Sequence, residues 1–248
     1  LDIPEGIIVI TKKDMVDEDW LEIVKEDVRS EVAGTFLENA PIIAVSSYTG
    51  EGIEELKSEI FKLIDKNTQL KNLDIPFRIP VDRIFSVEGF GTVITGTLIE
   101  GTMKVGDPVT VYPSRLESRI RNLQVHSKDV QQAFAGQRVA VNLAGLKKSD
   151  LNKGDVVAAP NSMHTTMMID IKLTILKDCE REILNATRLH LYHGARDILC
   201  KVVLLDRDSI SAGESCYAQL RLEEEIAVKT GDRFVLRFYS PLETIGGG

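Results

Sequence analysis

The sequence predicts a multi-domain chain that is α/β at its start and all-β afterwards. Three observations predict this. Two apolar runs, Gly6–Ile10 and Pro41–Val45, are each followed by a segment of helical periodicity. Beyond a polar stretch at Lys66-Asn67-Thr68-Gln69 that periodicity nearly disappears, and short alternating runs separated by Gly, Asp and Asn replace it. A Gly-Asp pair ahead of an apolar run recurs at Gly106-Asp107, Gly154-Asp155 and Gly231-Asp232.

Taken in order, Trp20, Ile23, Val24 and Val28 share a face of a helix running from Asp17 to Ala33. Asp17, Glu18 and Asp19 suit its positive N-terminal end. Ile53, Leu56, Ile60 and Leu63 mark a second helix after the Gly50-Glu51-Gly52 turn. Residues 1–70 therefore read as two β-α units of a parallel sheet, with the linker at 66–69. In residues 73–162, the runs Arg83–Val87, Gly91–Thr95 and Val109–Tyr112 read as strands of a first barrel or sandwich. A second is expected over residues 163–248, after the Pro160-Asn161 break. Each Gly-Asp glycine is expected to supply positive φ at a tight turn, a structural role only.

No apolar run is long enough to cross a membrane as a helix, which needs roughly 18 residues or more. The opening Leu1-Asp2-Ile3-Pro4-Glu5 lacks the positive region of a signal peptide, and without an initiator Met the chain reads as an excised fragment. Cys179, Cys200 and Cys216 have no metal-ligand spacing and read as buried, reduced thiols of a cytoplasmic protein. The net charge of −8 is uneven. Residues 1–72 carry 16 acidic and 8 basic side chains, whereas residues 73–248 carry 22 of each. The second stretch thus has room for a basic stripe facing nucleic acid.

Thr11-Lys12-Lys13-Asp14 follows the first apolar run, and Ser46-Ser47-Tyr48 follows the second. An ionised carboxylate accepts two hydrogen bonds at once, and guanine offers two adjacent donors where adenine does not, so Asp14 would select guanine. Lys12 would lay its stem along the base, and a backbone N–H near Ser47, in the Ser46-Ser47 pair, would donate to the guanine carbonyl. Four polar residues after a strand are by themselves an ordinary solvated loop. The order strand, TKKD, helix, strand, SSY, Gly-x-Gly, helix is what carries the guanine reading. The chain then opens inside a nucleotide-binding domain, with the phosphate-binding half outside it.

The run Val81–Leu98, followed by Gly101, Val105, Gly106 and Asp107, resembles the second domain of translational GTPases such as elongation factor Tu. Arg233–Arg237 through Gly247 is similar to the last strands of their third domain. Within that superfamily the sequence most resembles the selenocysteine-specific elongation factors. It does so in Thr11 at the head of the guanine loop, in Asp82-Arg83 ahead of Ile84-Phe85, and in Arg138 within Ala135–Leu143. The fold so implied is the end of a P-loop GTPase parallel sheet followed by two elongation-factor-type β-barrels.

The resemblance implies that Asp82, Arg83 and Arg138 surround the aminoacyl group. A selenol ionises below neutral pH and a serine hydroxyl does not, so two guanidiniums would favour the selenolate. Asp82 would hold one arginine or pair with the α-amino group. Spacing alone reads these arginines as surface residues. His126, in Leu123–His126, is also similar to this family, with packing or a hairpin as its other role. Arg188, His190, His193 and Arg196 surround Leu191-Tyr192 and would contact tRNA, or else form a charged barrel edge. Glu223-Glu224-Glu225 reads as a solvated turn.

The implied activity is GTP-dependent delivery of selenocysteyl-tRNA to the ribosome, with GTP and Mg²⁺ held by the intact protein. The phosphate loop, metal ligands and switch segments would lie outside these residues, as would winged-helix repeats binding an mRNA hairpin. The fragment is then expected to hold no nucleotide tightly and to carry no catalytic residue or metal site. The competing readings are a GTP-dependent sulfate adenylyltransferase subunit, which would not need Asp82-Arg83 with Arg138, and a non-enzymatic β-barrel interaction module.

Overall fold

The structure is a computed structural model that describes residues 5–66 and 73–248. Leu1–Pro4 and most of the expected linker, Asn67–Gln69, lie outside the described residues. The chain divides into two compact units, Asp2–Leu70 and Lys71–Gly248.

In the first unit, strands β1 (Ile8–Ile10) and β2 (Ile42–Ala44) pair in parallel, Ile8 opposite Ile42 and Ile10 opposite Ala44. Parallel strands need a crossover, and helix α1 (Glu18–Glu31) supplies it. Asp17 caps α1 by accepting the Trp20 N–H at 2.8 Å. The buried side of α1 is Leu21, with Val24 and Val28 half-buried beside it. Trp20 and Ile23, expected on that face, are 56% and 49% exposed. Two strands cover only a narrow stripe of a helix, so side chains flanking the stripe stay in water. Helix α2 (Ile53–Lys66) buries no residue fully, and Ile60 is exposed.

The second unit holds two β regions. In the first, strands run in the spatial order Arg78–Pro80, Val156–Ala158, Pro108–Tyr112, Leu116–Val125, Arg138–Leu143, Gly91–Thr97, Arg83–Val87, and Lys128–Val130 joins beside Leu116–Val125. They surround a core containing Ile79, Ile94, Leu98, Leu123 and Val141. Along Gly91–Thr97 the period of two is complete: Thr92, Ile94 and Gly96 face in, and Val93, Thr95 and Thr97 face out. Gly96 has to be glycine, since a Cβ there would stand 2.1 Å from the Pro80 carbonyl oxygen.

The second region is a closed six-stranded barrel: Thr165–Ile175, Ser215–Ala227, Arg196–Leu204, Arg188–His193, Val235–Phe238 and Thr244–Gly247. Leu173, Leu189, Leu191, Val202, Leu220 and Leu236 fill it. All three cysteines are free and buried, and burial pushes the Cys200 thiol up to about 12.

The three Gly-Asp turns form as expected, with glycine φ values of 92°, 88° and 89°. In each, the aspartate carboxylate accepts the N–H three residues back, from Lys104, Asn152 and Lys229, at 2.7–2.9 Å. Glu223-Glu224-Glu225 is not a turn. It lies within the strand Ser215–Ala227, where Arg188 and Arg196 from neighbouring positions bind Glu223 and Glu224. His126 and Ser127, with φ of 51° and 61°, are the two central residues of a hairpin whose flanks Val125 and Lys128 pair.

Candidate functional site

β1 and β2 end side by side, and their following loops are tied together. The Lys13 N–H donates to the Val45 carbonyl at 3.1 Å, and the Lys13 ammonium pairs with Glu51. Thr11–Asp14 and Ser46–Ser47 therefore meet at the carboxyl ends of parallel strands, where open α/β sheets bind ligands. Lys12 takes a left-handed conformation (φ 62°) at the entry to the turn Lys13–Met15. Among the described residues, the exposed Asp14 carboxylate has no partner. Ser46 is completely buried, its Oγ accepts the Thr49 N–H at 3.1 Å, and its own N–H donates to the Glu51 carbonyl at 3.0 Å. It shapes the turn, which leaves the Ser47 N–H as the free donor of the pair among the described residues.

Asp82, Arg83 and Arg138 meet on the outer face of the first β region. Arg83 lies opposite Thr95 on one neighbour, and Arg138 opposite Thr97 on the other side of the same strand. Arg138 binds both oxygens of Asp82, at 2.5 and 3.1 Å, and the Thr95 hydroxyl donates to Asp82 at 2.7 Å. Partial burial pushes the Asp82 carboxyl up, but the bonds from Arg138 and Thr95, with the charge of Arg83, outweigh it and hold it below the usual carboxylate value. Arg83 is exposed and has no hydrogen-bond or ion-pair partner among the described residues. The site thus combines one arginine oriented by a carboxylate with one free arginine.

The four candidate RNA contacts of the closed barrel do not form one patch. Arg188 and His190 point outward, toward Glu223 and Asp197 respectively. His193 and Arg196 sit where the barrel meets the first β region. Arg196 reaches Asp155 at 2.9 Å and Glu224 at 2.9 Å, and His193 Nε2 lies 3.2 Å from Asp232. Burial raises the Asp155 carboxyl pKa more than the Asn152 N–H and Arg196 lower it. Gly154 packs so closely that a Cβ would stand 2.6 Å from that of Arg196.

Sequence reasoning missed a partly buried polar cluster that joins the two β regions. Arg78, on the first β region, bridges Glu100 at 2.7 Å and Asp232 of the closed barrel at 2.5 Å, and Lys229 reaches back to Glu100 at 2.7 Å. Burial pushes the Asp232 carboxyl up, yet Arg78, His193 and the Lys229 N–H together hold it well below the usual range. The available signal was the recurring Gly-Asp turn: two of its three aspartates, Asp155 and Asp232, extend from the turn to the other β region.

Residues 91–158 match the family model of elongation factor Tu domain 2, which sets the class: an elongation-factor-type β unit behind a parallel α/β portion. Residues 170–248 match the β-barrel domain of the selenocysteine-specific elongation factor. The chain is 42% identical, over its whole length, to the selenocysteine-specific elongation factor of Desulfomicrobium baculatum, and spans 39% of that relative. A solved bacterial selenocysteine-specific elongation factor matches 99% of the chain and is 39% covered by it, with 32% identity and a TM-score of 0.83. The Methanococcus maripaludis factor SelB, solved with the GTP analogue GppNHp, shares the fold over 98% of this chain and 58% of its own, with 24% identity and a TM-score of 0.78. The chain is a translation elongation factor relative of the SelB family, and it spans less than two thirds of the relatives it matches.

Proposed function

We propose that the protein to which this chain belongs delivers selenocysteyl-tRNA to the ribosome in a GTP-dependent cycle, with residues 73–162 as its second domain and 163–248 as its third. The observation that carries this reading is the arginine pair on one outer face, Arg138 held by Asp82 and Arg83 left free. A free guanidinium attracts an ionised selenolate and gains little from a neutral hydroxyl. An arginine fixed by a carboxylate is already oriented and loses less freedom on binding. The geometry therefore favours Arg83 as the charge partner and Arg138 as a positioned donor.

The test uses the full-length factor with GTP. Arg83→Ala is expected to weaken selenocysteyl-tRNA binding about tenfold more than seryl-tRNA binding, the scale of one charge-assisted hydrogen bond. Arg83→Lys should recover part of the loss, since it keeps the charge without the planar fork. Equal losses for both tRNAs would assign these arginines to tRNA positioning alone.

Thr11, Lys12, Asp14 and Ser47 form the guanine-reading part of the proposal, with Ser46 shaping the turn. The sequence contains no GxxxxGK[ST] phosphate loop. Phosphate contacts supply much of a nucleotide's affinity, so this chain alone should bind a fluorescent GDP analogue weakly. Micromolar saturation displaced by unlabelled GDP would refute that expectation. The other partners, the ribosome and an mRNA hairpin, belong to the intact protein, as does Mg²⁺.

A further inference from the structure

The two loops that meet at the ends of β1 and β2 are joined into a ring. The Lys13 N–H donates to the Val45 carbonyl at 3.1 Å. Ser46, the next residue after Val45, donates its own N–H to the Glu51 carbonyl at 3.0 Å. The Glu51 carboxylate then accepts from the Lys13 ammonium, 38 residues away in sequence, and the ring closes.

The turn that carries Glu51 is pressed against the end of β2. Gly50 and Gly52 take φ values of 83° and 75°, a backbone conformation that side chains resist. A Cβ on Gly52 would stand 2.2 Å from the Ala44 carbonyl oxygen. The Gly50 N–H donates to the Ser46 carbonyl at 2.9 Å. From this fixed turn the Glu51 side chain crosses to the Lys13 loop. The two side chains are 26% and 56% exposed, so either can be replaced without opening a core. The pairs along α1 and α2 differ in kind. They join residues three apart in one helix, whereas Lys13 and Glu51 join two loops.

Both groups assigned to the base lie one residue beyond a member of the ring: Asp14 follows Lys13, and Ser47 follows Ser46. A base held by both at once needs their separation fixed, because hydrogen bonds weaken steeply when misaligned. Groups already in place also lose less freedom on binding.

We propose that Lys13 and Glu51 are positioning residues for guanine, a clasp that sets the distance between Asp14 and Ser47 without touching the base. The proposal rests on the guanine reading of these loops and deepens it, since it names what holds the two base contacts in register.

The test measures the affinity of the full-length factor for GDP and for inosine diphosphate (IDP), by displacement of a fluorescent GDP analogue. IDP lacks the 2-amino group, so it gives Asp14 one donor where GDP gives two. Glu51→Gln and Lys13→Gln should each weaken GDP binding about threefold to fivefold, the upper end of the range for an exposed ion pair. IDP binding should weaken by a smaller factor. The double variant should be no worse than either single one, because both substitutions remove the same contact. Lys13→Arg, which keeps the charge, should stay within about twofold of the parent. Three outcomes would each overturn the clasp: additive losses in the double variant, equal losses for GDP and IDP, or single variants that bind GDP like the parent. The guanine reading is scored by the parent protein alone. A parent that binds IDP as tightly as GDP would overturn that reading and the clasp with it. A parent preference for GDP that every variant retains would overturn the clasp and leave the guanine reading standing.

Discussion

The α/β unit and the paired β regions differ in what holds them. In the former, the apolar side chains with less than a tenth of their surface exposed are, among the described residues, Leu21, Ile43 and Val45. In the closed barrel, Leu173, Leu189, Leu191, Val202, Leu220 and Leu236 are all at 0%. The ion pairs differ in the same way. The helices carry exposed neighbours such as Lys57–Glu54, which contribute little, whereas Arg78 and Asp232 are paired out of water. The α/β elements are specified mainly by local signals, the Asp17 cap and helical periodicity; the β regions are specified by long-range burial.

The largest expected effect is a difference in opening. Trp20, the single tryptophan, sits on α1 and reports the α/β unit alone. Its fluorescence should change at lower temperature than the far-ultraviolet signal of the sheets, and amides of α1 and α2 should exchange orders of magnitude faster than those of Leu189–Leu191. Coincident melts with equal protection would erase the distinction.

Next in size is the buried network. Asp232→Asn should cost about 3–5 kcal/mol at neutral pH, because it leaves Arg78 inadequately paired. The Asp232 carboxyl is depressed in the folded state, so its contribution is full above the unfolded value of about 3.9 and is lost as pH falls toward the lower folded value. The gap between parent and variant should therefore narrow below about pH 4. A gap independent of pH would show that the pair contributes packing rather than charge.

Core truncation comes third. Leu191→Ala should cost about 2–5 kcal/mol in the barrel transition, and Leu56→Ala on half-buried α2 about 1 kcal/mol in the Trp20 transition. Similar losses would place the α/β core on a par with the barrel. The smallest effect belongs to Asp107→Asn, about 1 kcal/mol or less by denaturant titration. It disturbs the same local turn as Asp232 without a bond to the other β region.

Much of the fold was legible because its signals are local. The strand Arg83–Val87 has the bounds that alternation implies, and each Gly-Asp pair makes the turn its glycine permits. The exposed side of α1 was not legible: Trp20 and Leu21 are both apolar, and only the position of two short strands decides which is covered. Glu223-Glu224-Glu225 looked like a turn because its partners, Arg188 and Arg196, are distant in sequence. That Asp82 would hold an arginine was legible, but which one was not: the pairing register across Gly91–Thr97 gives it Arg138 and leaves Arg83 free among the described residues. Arg78 gave no signal at all, since nothing local marks an arginine for burial between two sheets.

The two β regions are attached at more than one place: by Arg78 on Asp232, by Arg196 on Asp155, by Lys229 on Glu100, and by the chain itself between Ala158 and Thr165. In mechanical terms, a single attachment is a swivel and two make a hinge, while a third off their line makes a bracket. The two aspartates at the first two attachments belong to turns of one design, so a repeated local motif serves as both corner and bolt.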